Sequence, residues 1–187
     1  MIVPIETFAP DVSSRAYPGV KYNLMRLDHA LQIAIQMEQL GLAFYEALAA
    51  GCGQPEIARL AGALAKAELT HVQTFKQMLS HLPADQRGQK LTEEQLVSAV
   101  KEWRDAILPT ATEVRRVVLH GDIIEVLDMA IEMEANAIAF YSDLASSAID
   151  KDAAVLTSMA AEERKHLSLL QEQRSRYLSS SPKPARL

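Results

Sequence analysis

A single cysteine, Cys52, stands in a chain of 187 residues. One thiol cannot close a disulfide within the chain, nor furnish a four-cysteine zinc or iron–sulfur site. Aromatic residues are scarce at 5%, and the 7 glycines and 8 prolines gather in a few places. With many Ala and Leu, that scarcity favours helices over sheet. No run of about 18 apolar residues occurs, so no transmembrane helix is expected. The first residues, Met1-Ile2-Val3-Pro4-Ile5-Glu6, lack the basic and apolar regions of a secretory signal. Together with the lone thiol this gives a cytoplasmic expectation. Basic excess is also missing: Lys+Arg number 19 against Asp+Glu 24, a net charge of -5. Nucleic acid is therefore not an expected partner.

Hydrophobic residues make up 49% of the chain, enough for one well-filled domain. Pro4, Pro10, Pro18 and Gly19 break any helical period, and residues 1–23 read as an extended arm. A bundle domain is expected over 24–177 and a mobile tail over 178–187. Helical spacing begins near Asp28, a plausible N-cap, and runs to about Ala50 before Gly51-Cys52-Gly53. A second helix starts at Pro55 and ends before Pro83. The segment 83–121 reads as a crossover with one or two short helices, over 92–107 and 110–119. Trp103 serves there as a packing anchor. Asp122 caps a third long helix, to about Ser147, and Asp150 caps a fourth, to about Tyr177. Two tight hairpins joined by one long connection make an all-α four-helix bundle.

The chain repeats itself. Ala34-Ile35-Gln36-Met37-Glu38, followed by Ala43-Phe44-Tyr45, matches Ala130-Ile131-Glu132-Met133-Glu134, followed by Ala139-Phe140-Tyr141. Ala65, Glu68 and His71 match Ala160, Glu163 and His166, with the register slipping by a single residue in the hairpin turn. Glu38 lies on an apolar stripe with Ala34, Ile35, Leu42 and Tyr45. Glu134 lies likewise among Ala130, Ile131, Ile138 and Tyr141. An unpaired carboxylate on such a stripe costs several kcal/mol. Residues three apart share a helix face, so Glu68 with His71, and Glu163 with His166, project together. Packing the two hairpins about a pseudo-twofold axis brings four Glu and two His into one layer. Four carboxylates and two neutral imidazoles total about -4, which two divalent cations balance. Oxygen and nitrogen donors that can bridge suit Fe(II) or Mn(II); zinc alone prefers fewer ligands in a tetrahedron.

A lone Glu-x-x-His is usually a solvated charge pair, and the repetition is what argues otherwise. The remaining charges take surface readings. Glu132, Glu162 and Glu172 are assigned to helix surfaces, Glu162 because it misses the register of Glu68. His29, His81 and His120 fall near helix ends or in the connection. Tyr45 and Tyr141 follow their own Glu by two turns, which suits either core packing or a hydrogen bond to a ligand carboxylate.

The repeated Met-Glu with Ala-Phe-Tyr and Leu-Ala, joined to two Glu-x-x-His motifs, resembles the rubrerythrin-like diiron proteins of the ferritin-like superfamily. The resemblance covers about 27–82 and 122–175. It implies two iron ions, with manganese or a mixed pair as alternatives. By position, Glu38 and Glu134 would be terminal ligands, Glu68 and Glu163 bridges, and His71 and His166 caps on one metal each. It also implies oxidation of Fe(II) by peroxide or O2, fed by an external electron donor. Two departures stand out. The four-cysteine rubredoxin-type centre of full-length rubrerythrins is missing, and Ala137 occupies the position where many rubrerythrins carry a further Glu. A diiron hydroxylase of an apolar substrate, non-catalytic iron binding or buffering, and a structural module with a vestigial site are the competing functions. A homodimer is expected.

Overall fold

The computed structural model describes residues 27–84, 122–148 and 150–180, with isolated positions at 92, 94, 112, 116 and 117. The arm, most of the crossover including Trp103, and the tail beyond Ser180 lie outside the described residues. Among the described residues four long helices carry the fold: α1 (Leu27–Gly51), α2 (Pro55–His81), α3 (Ile123–Ser147) and α4 (Asp150–Ser180). Among the described residues there is no strand. At about 1.5 Å per residue each helix is roughly 40 Å long.

Local chemistry sets most of the boundaries. Pro55 opens α2, where its missing N–H costs nothing, and the chain leaves the helix at Leu82, ahead of Pro83. Asp122 caps α3, its side chain accepting from the Glu125 N–H at 2.9 Å. Three boundaries differ from expectation, the simplest being that Asp150, expected as a cap, is itself the first residue of α4. Helix α1 already includes Leu27, so Asp28 sits inside the first turn instead of capping it. Its side chain is buried, and its carbonyl accepts from Gln32 Nε2 at 3.1 Å. Helix α4 runs past Tyr177 to Ser180, so three residues assigned to the tail are helical. No breaker precedes Pro182, and Ser179 Oγ closes back on the Ser175 carbonyl at 2.8 Å.

The helices pack as two hairpins, α1 with α2 and α3 with α4. Their shared core divides into two apolar layers. One joins Leu31, Ala34 and Ile35 of α1 to Val72 and Phe75 of α2, Tyr141 and Leu144 of α3, and Leu156 and Met159 of α4. The other joins Phe44 and Leu48, Ile57 and Leu64, Val126 and Leu127, and Leu170 from the same four helices, with Val117 of the crossover buried among them. Each layer thus takes the early half of α1 with the late half of α3, or the reverse, so those two helices run antiparallel. Helix α2 ends beside one layer and α3 begins beside the other. A tight turn cannot link points separated by the length of the bundle, which accounts for the long connection. Between the layers, at mid-height, lies a band of polar side chains.

Candidate metal centre

That band contains Glu38, Glu68, His71, Glu134, Glu163 and His166, all buried. Helix α1 supplies Glu38 and α3 supplies Glu134. Helices α2 and α4 each supply a Glu and the His one turn later, on a single face. Burying so many carboxylates is expensive, and the apolar layers above and below leave little solvent to offset it.

The donor atoms fall into two overlapping sets. Glu38, Glu68, His71 and Glu163 offer atoms all within 4.8 Å of one another, and so do Glu68, Glu134, Glu163 and His166. Glu68 and Glu163 belong to both. The imidazoles of His71 and His166 face each other nearly parallel, with centroids 5.7 Å apart. His71 Nδ1 lies 3.2 Å from Glu38 Oε2 and 2.9 Å from Glu163 Oε1. His166 Nδ1 lies 2.8 Å from Glu163 Oε2, and 3.9 Å from both Glu68 Oε1 and Glu134 Oε2.

The tyrosines cross the bundle. Tyr45 of the first hairpin donates to Glu134 Oε1 of the second, and Tyr141 of the second donates to Glu38 Oε1 of the first. Each therefore holds a carboxylate oxygen from behind. Burial first, then the neighbouring carboxylates, push both phenols well above their ordinary range, so they remain protonated donors.

Proton affinities report a crowded anionic layer. Burial raises the Glu68 carboxyl, and a hydrogen bond with Glu38 and the nearby charges push the same way. Burial likewise raises Glu134, reinforced by the charge of Glu163. For His71 burial opposes the charge, but hydrogen bonds to Glu163 and Glu38 overcome it and push the group up to about 11. Glu163 shows the converse: burial raises it, and the bonds from His166 and His71 bring it down to about 2. Without metal the layer is therefore held by protons, on His71 and on carboxylates that would otherwise ionise.

One atom tests whether cations suit the layer. Glu163 Oε1 is buried, and the donor beside it, His71 Nδ1 at 2.9 Å, stands at an angle that makes a poor hydrogen bond. It belongs to a carboxylate that both donor sets share. Four carboxylates and two imidazoles offer the oxygen and nitrogen ligands that divalent cations take.

A cavity of about 30 Å³ opens on one side of the layer, lined by Glu38, Tyr45, Glu68, Glu134, Tyr141 and Glu163, with Met37 and Met133. Gly41 and Ala137, each one turn past its helix's carboxylate, complete the lining. The small residues leave the space open: a Cβ at Gly41 would come within 3.3 Å of Glu68 Oε2.

Other sequence assignments sort themselves by exposure. Glu132 and His81 are exposed, and exposed Glu172 pairs with Arg176. Glu162 is different. It is half-exposed, as a surface residue should be, yet its Oε2 lies 3.1 Å from His71 Nε2. The acidic pair Glu162-Glu163 was the available signal, for the equivalent position beside Glu68 is Ala67. Choosing one member as the register residue hid the contact made by the other.

The family model described as Rubrerythrin matches residues 12–79, within the ferritin-like superfamily. The match takes in α1 and nearly all of α2, and with them Glu38, Glu68 and His71. No curated protein and no solved structure matches significantly.

Proposed function

We propose, from a rubrerythrin-type domain whose second hairpin repeats the Glu and Glu-x-x-His set of the first, that this chain is a diiron-carboxylate oxidoreductase. Its expected substrates are Fe(II) with peroxide or O2, in a peroxidase or ferroxidase cycle that takes electrons from an external donor. The observation that carries this is the pair of overlapping donor sets sharing Glu68 and Glu163, beside a cavity of small volume. A cavity of about 30 Å³ has room for roughly two waters. A two-oxygen-atom oxidant suits that space, which favours this function over a hydroxylase of an apolar compound.

Glu38 with His71 would hold one cation and Glu134 with His166 the other, with Glu68 and Glu163 shared between them. Bound iron supplies the electrons that reduce the oxidant. To bind, His71 gives up the Nδ1 proton, so loading releases protons. Tyr45 and Tyr141 keep Glu134 and Glu38 oriented. The two apolar layers exclude bulk water, which strengthens each charge interaction inside. With a single cysteine, the described helices hold no second redox centre of the rubredoxin type, so reducing equivalents come from outside.

The test is anaerobic loading of the full chain with Fe(II), measuring metal per chain, then absorbance on adding peroxide or O2. Two metals and a rapid absorbance change are expected, with both lost in Glu68→Ala and His166→Ala. Binding well below two, equal to that of the variants, would defeat the metal assignment. Two metals that react with neither oxidant would leave iron binding or buffering in its place.

A further inference from the structure

The two halves of the centre are alike in donor type and unlike in support. His71 has both ring nitrogens engaged: Nδ1 toward Glu38 and Glu163, and Nε2 on Glu162 at 3.1 Å. Its side chain is 1% exposed. His166 has only Nδ1 engaged, on Glu163, and its side chain is 11% exposed. Among the described residues no carboxylate reaches His166 Nε2. The reason is visible in the sequence, where Ala67 precedes Glu68 and Glu162 precedes Glu163.

We propose that Glu162 is a positioning residue which makes the two metal sites unequal, so that the His71 site fills first and holds its cation more tightly. This rests on the diiron assignment above. A carboxylate accepting the Nε2–H leaves Nδ1 as the nitrogen free to ligate, fixes the ring plane, and makes the ligand more basic. His71 is then preset, with its donor atom already facing Glu38, Glu68 and Glu163. His166 must settle its tautomer and orientation on binding. The second cation also meets a layer whose charge the first has already halved, which widens the gap. Glu162 itself remains outside the donor sets and half in solvent, so its removal alters His71 without opening the core.

The experiment is an anaerobic titration of the full chain with Co(II) alone, followed by calorimetry and visible absorbance. Wild type should show two steps separated by roughly tenfold or more. Glu162→Ala should weaken the tighter step by roughly 10–100-fold, the range for lost carboxylate support of a metal-binding His. The weaker step should hold, and Glu162→Gln, which keeps an acceptor oxygen, should recover most of the loss. In the Co(II)-loaded wild type, one shifted ring N–H proton resonance should be protected from exchange, and Glu162→Ala should abolish it. Circular dichroism checks that both variants keep their helix content. Two equal steps in wild type, or an equal effect of Glu162→Ala on both steps, would overturn the inequality while leaving the diiron assignment intact. No Co(II) binding at all would overturn both.

Discussion

Tyr45 donates its phenolic proton to Glu134, a carboxylate carried by the opposite hairpin, and Tyr141 returns the contact to Glu38. The paired crossings tie the hairpins together at the level of the polar layer, where apolar packing is interrupted. Replacing Tyr45 with Phe leaves shape and removes the donor. A buried hydrogen bond between neutral groups contributes about 0.5–1.5 kcal/mol. For a chain of this size roughly 2–4 °C of melting temperature accompanies each kcal/mol. Tyr45→Phe and Tyr141→Phe should each lower the melting temperature of the metal-free chain by about 1–6 °C and weaken metal binding. Thermal unfolding by circular dichroism, with and without metal, measures it. Unchanged melting in both variants would show that the phenols merely fill space.

Carboxylates that suit a metal are a burden without one. Burial, then the charge of Glu163, raises Glu134 above its ordinary range, so the protein strains to ionise it. Glu134→Gln keeps the size, removes the charge and can still accept from Tyr45. The metal-free variant should be more stable than wild type at neutral pH, by on the order of 1 kcal/mol, and should bind less metal. Denaturant unfolding gives the first quantity and bound metal per chain the second. A less stable metal-free variant would mean that the ionised carboxylate is well paired in the empty site.

Which parts of this arrangement are legible in the sequence follows from what spacing can encode. A 3.6-residue period names the face of a helix, and the repeat says that two faces are equivalent. Those two facts yield the four helices and place Glu38, Glu68, His71, Glu134, Glu163 and His166 at one level. Spacing does not name partners across helices. Tyr45 lies two turns past Glu38 on the same face, yet it meets Glu134, because the antiparallel pairing of α1 with α3 sets which carboxylate is in reach. Glu162 is hidden for a related reason. Its place beside Glu163 turns it away from the layer, and only the packing of α4 beside α2 brings it onto the outer nitrogen of His71. The burial of Asp28 is likewise tertiary, since the side chain of a would-be cap is enclosed by packing that the local pattern does not contain.

Metal-free stability should depend on pH with a definite sign. Glu68 and Glu134 keep protons that the unfolded chain releases above its ordinary 4.5, so their contribution is complete below that pH and fades above it. His71, raised from 6.5 to about 11, contributes fully below 6.5 and loses its contribution as pH climbs toward 11. Glu163, lowered to about 2, works in the other direction: its contribution is complete above 4.5 and lost as pH falls toward 2. The optimum should therefore fall near 4.5, with melting temperature declining from there to about pH 9 and more steeply once His71 adds its loss above 6.5. Loading with metal should flatten or reverse that decline, because deprotonated ligands are what the cations require. A metal-free melting temperature that rises across the alkaline range would contradict the proton-held layer.

Gly41 sits one turn past Glu38, and two opposing effects meet there. A glycine inside a helix costs about 0.5–1 kcal/mol relative to alanine. A methyl group at this position would lie 3.3 Å from Glu68 Oε2, so the carboxylate must move by a few tenths of an ångström. In the metal-free chain Glu68 is the end of a side chain and can give way, and the helical gain should win. Gly41→Ala should then raise metal-free stability by up to about 1 kcal/mol. The loaded chain cannot yield as easily, since Glu68 would be shared by both cations and the cavity would narrow. Metal affinity should fall, and the absorbance change on adding peroxide should slow. The signature is this opposition, with stability rising while affinity and rate decline. If Gly41→Ala gains stability and binds and reacts like wild type, the glycine is an accident of helix composition and the cavity is not the route of the oxidant.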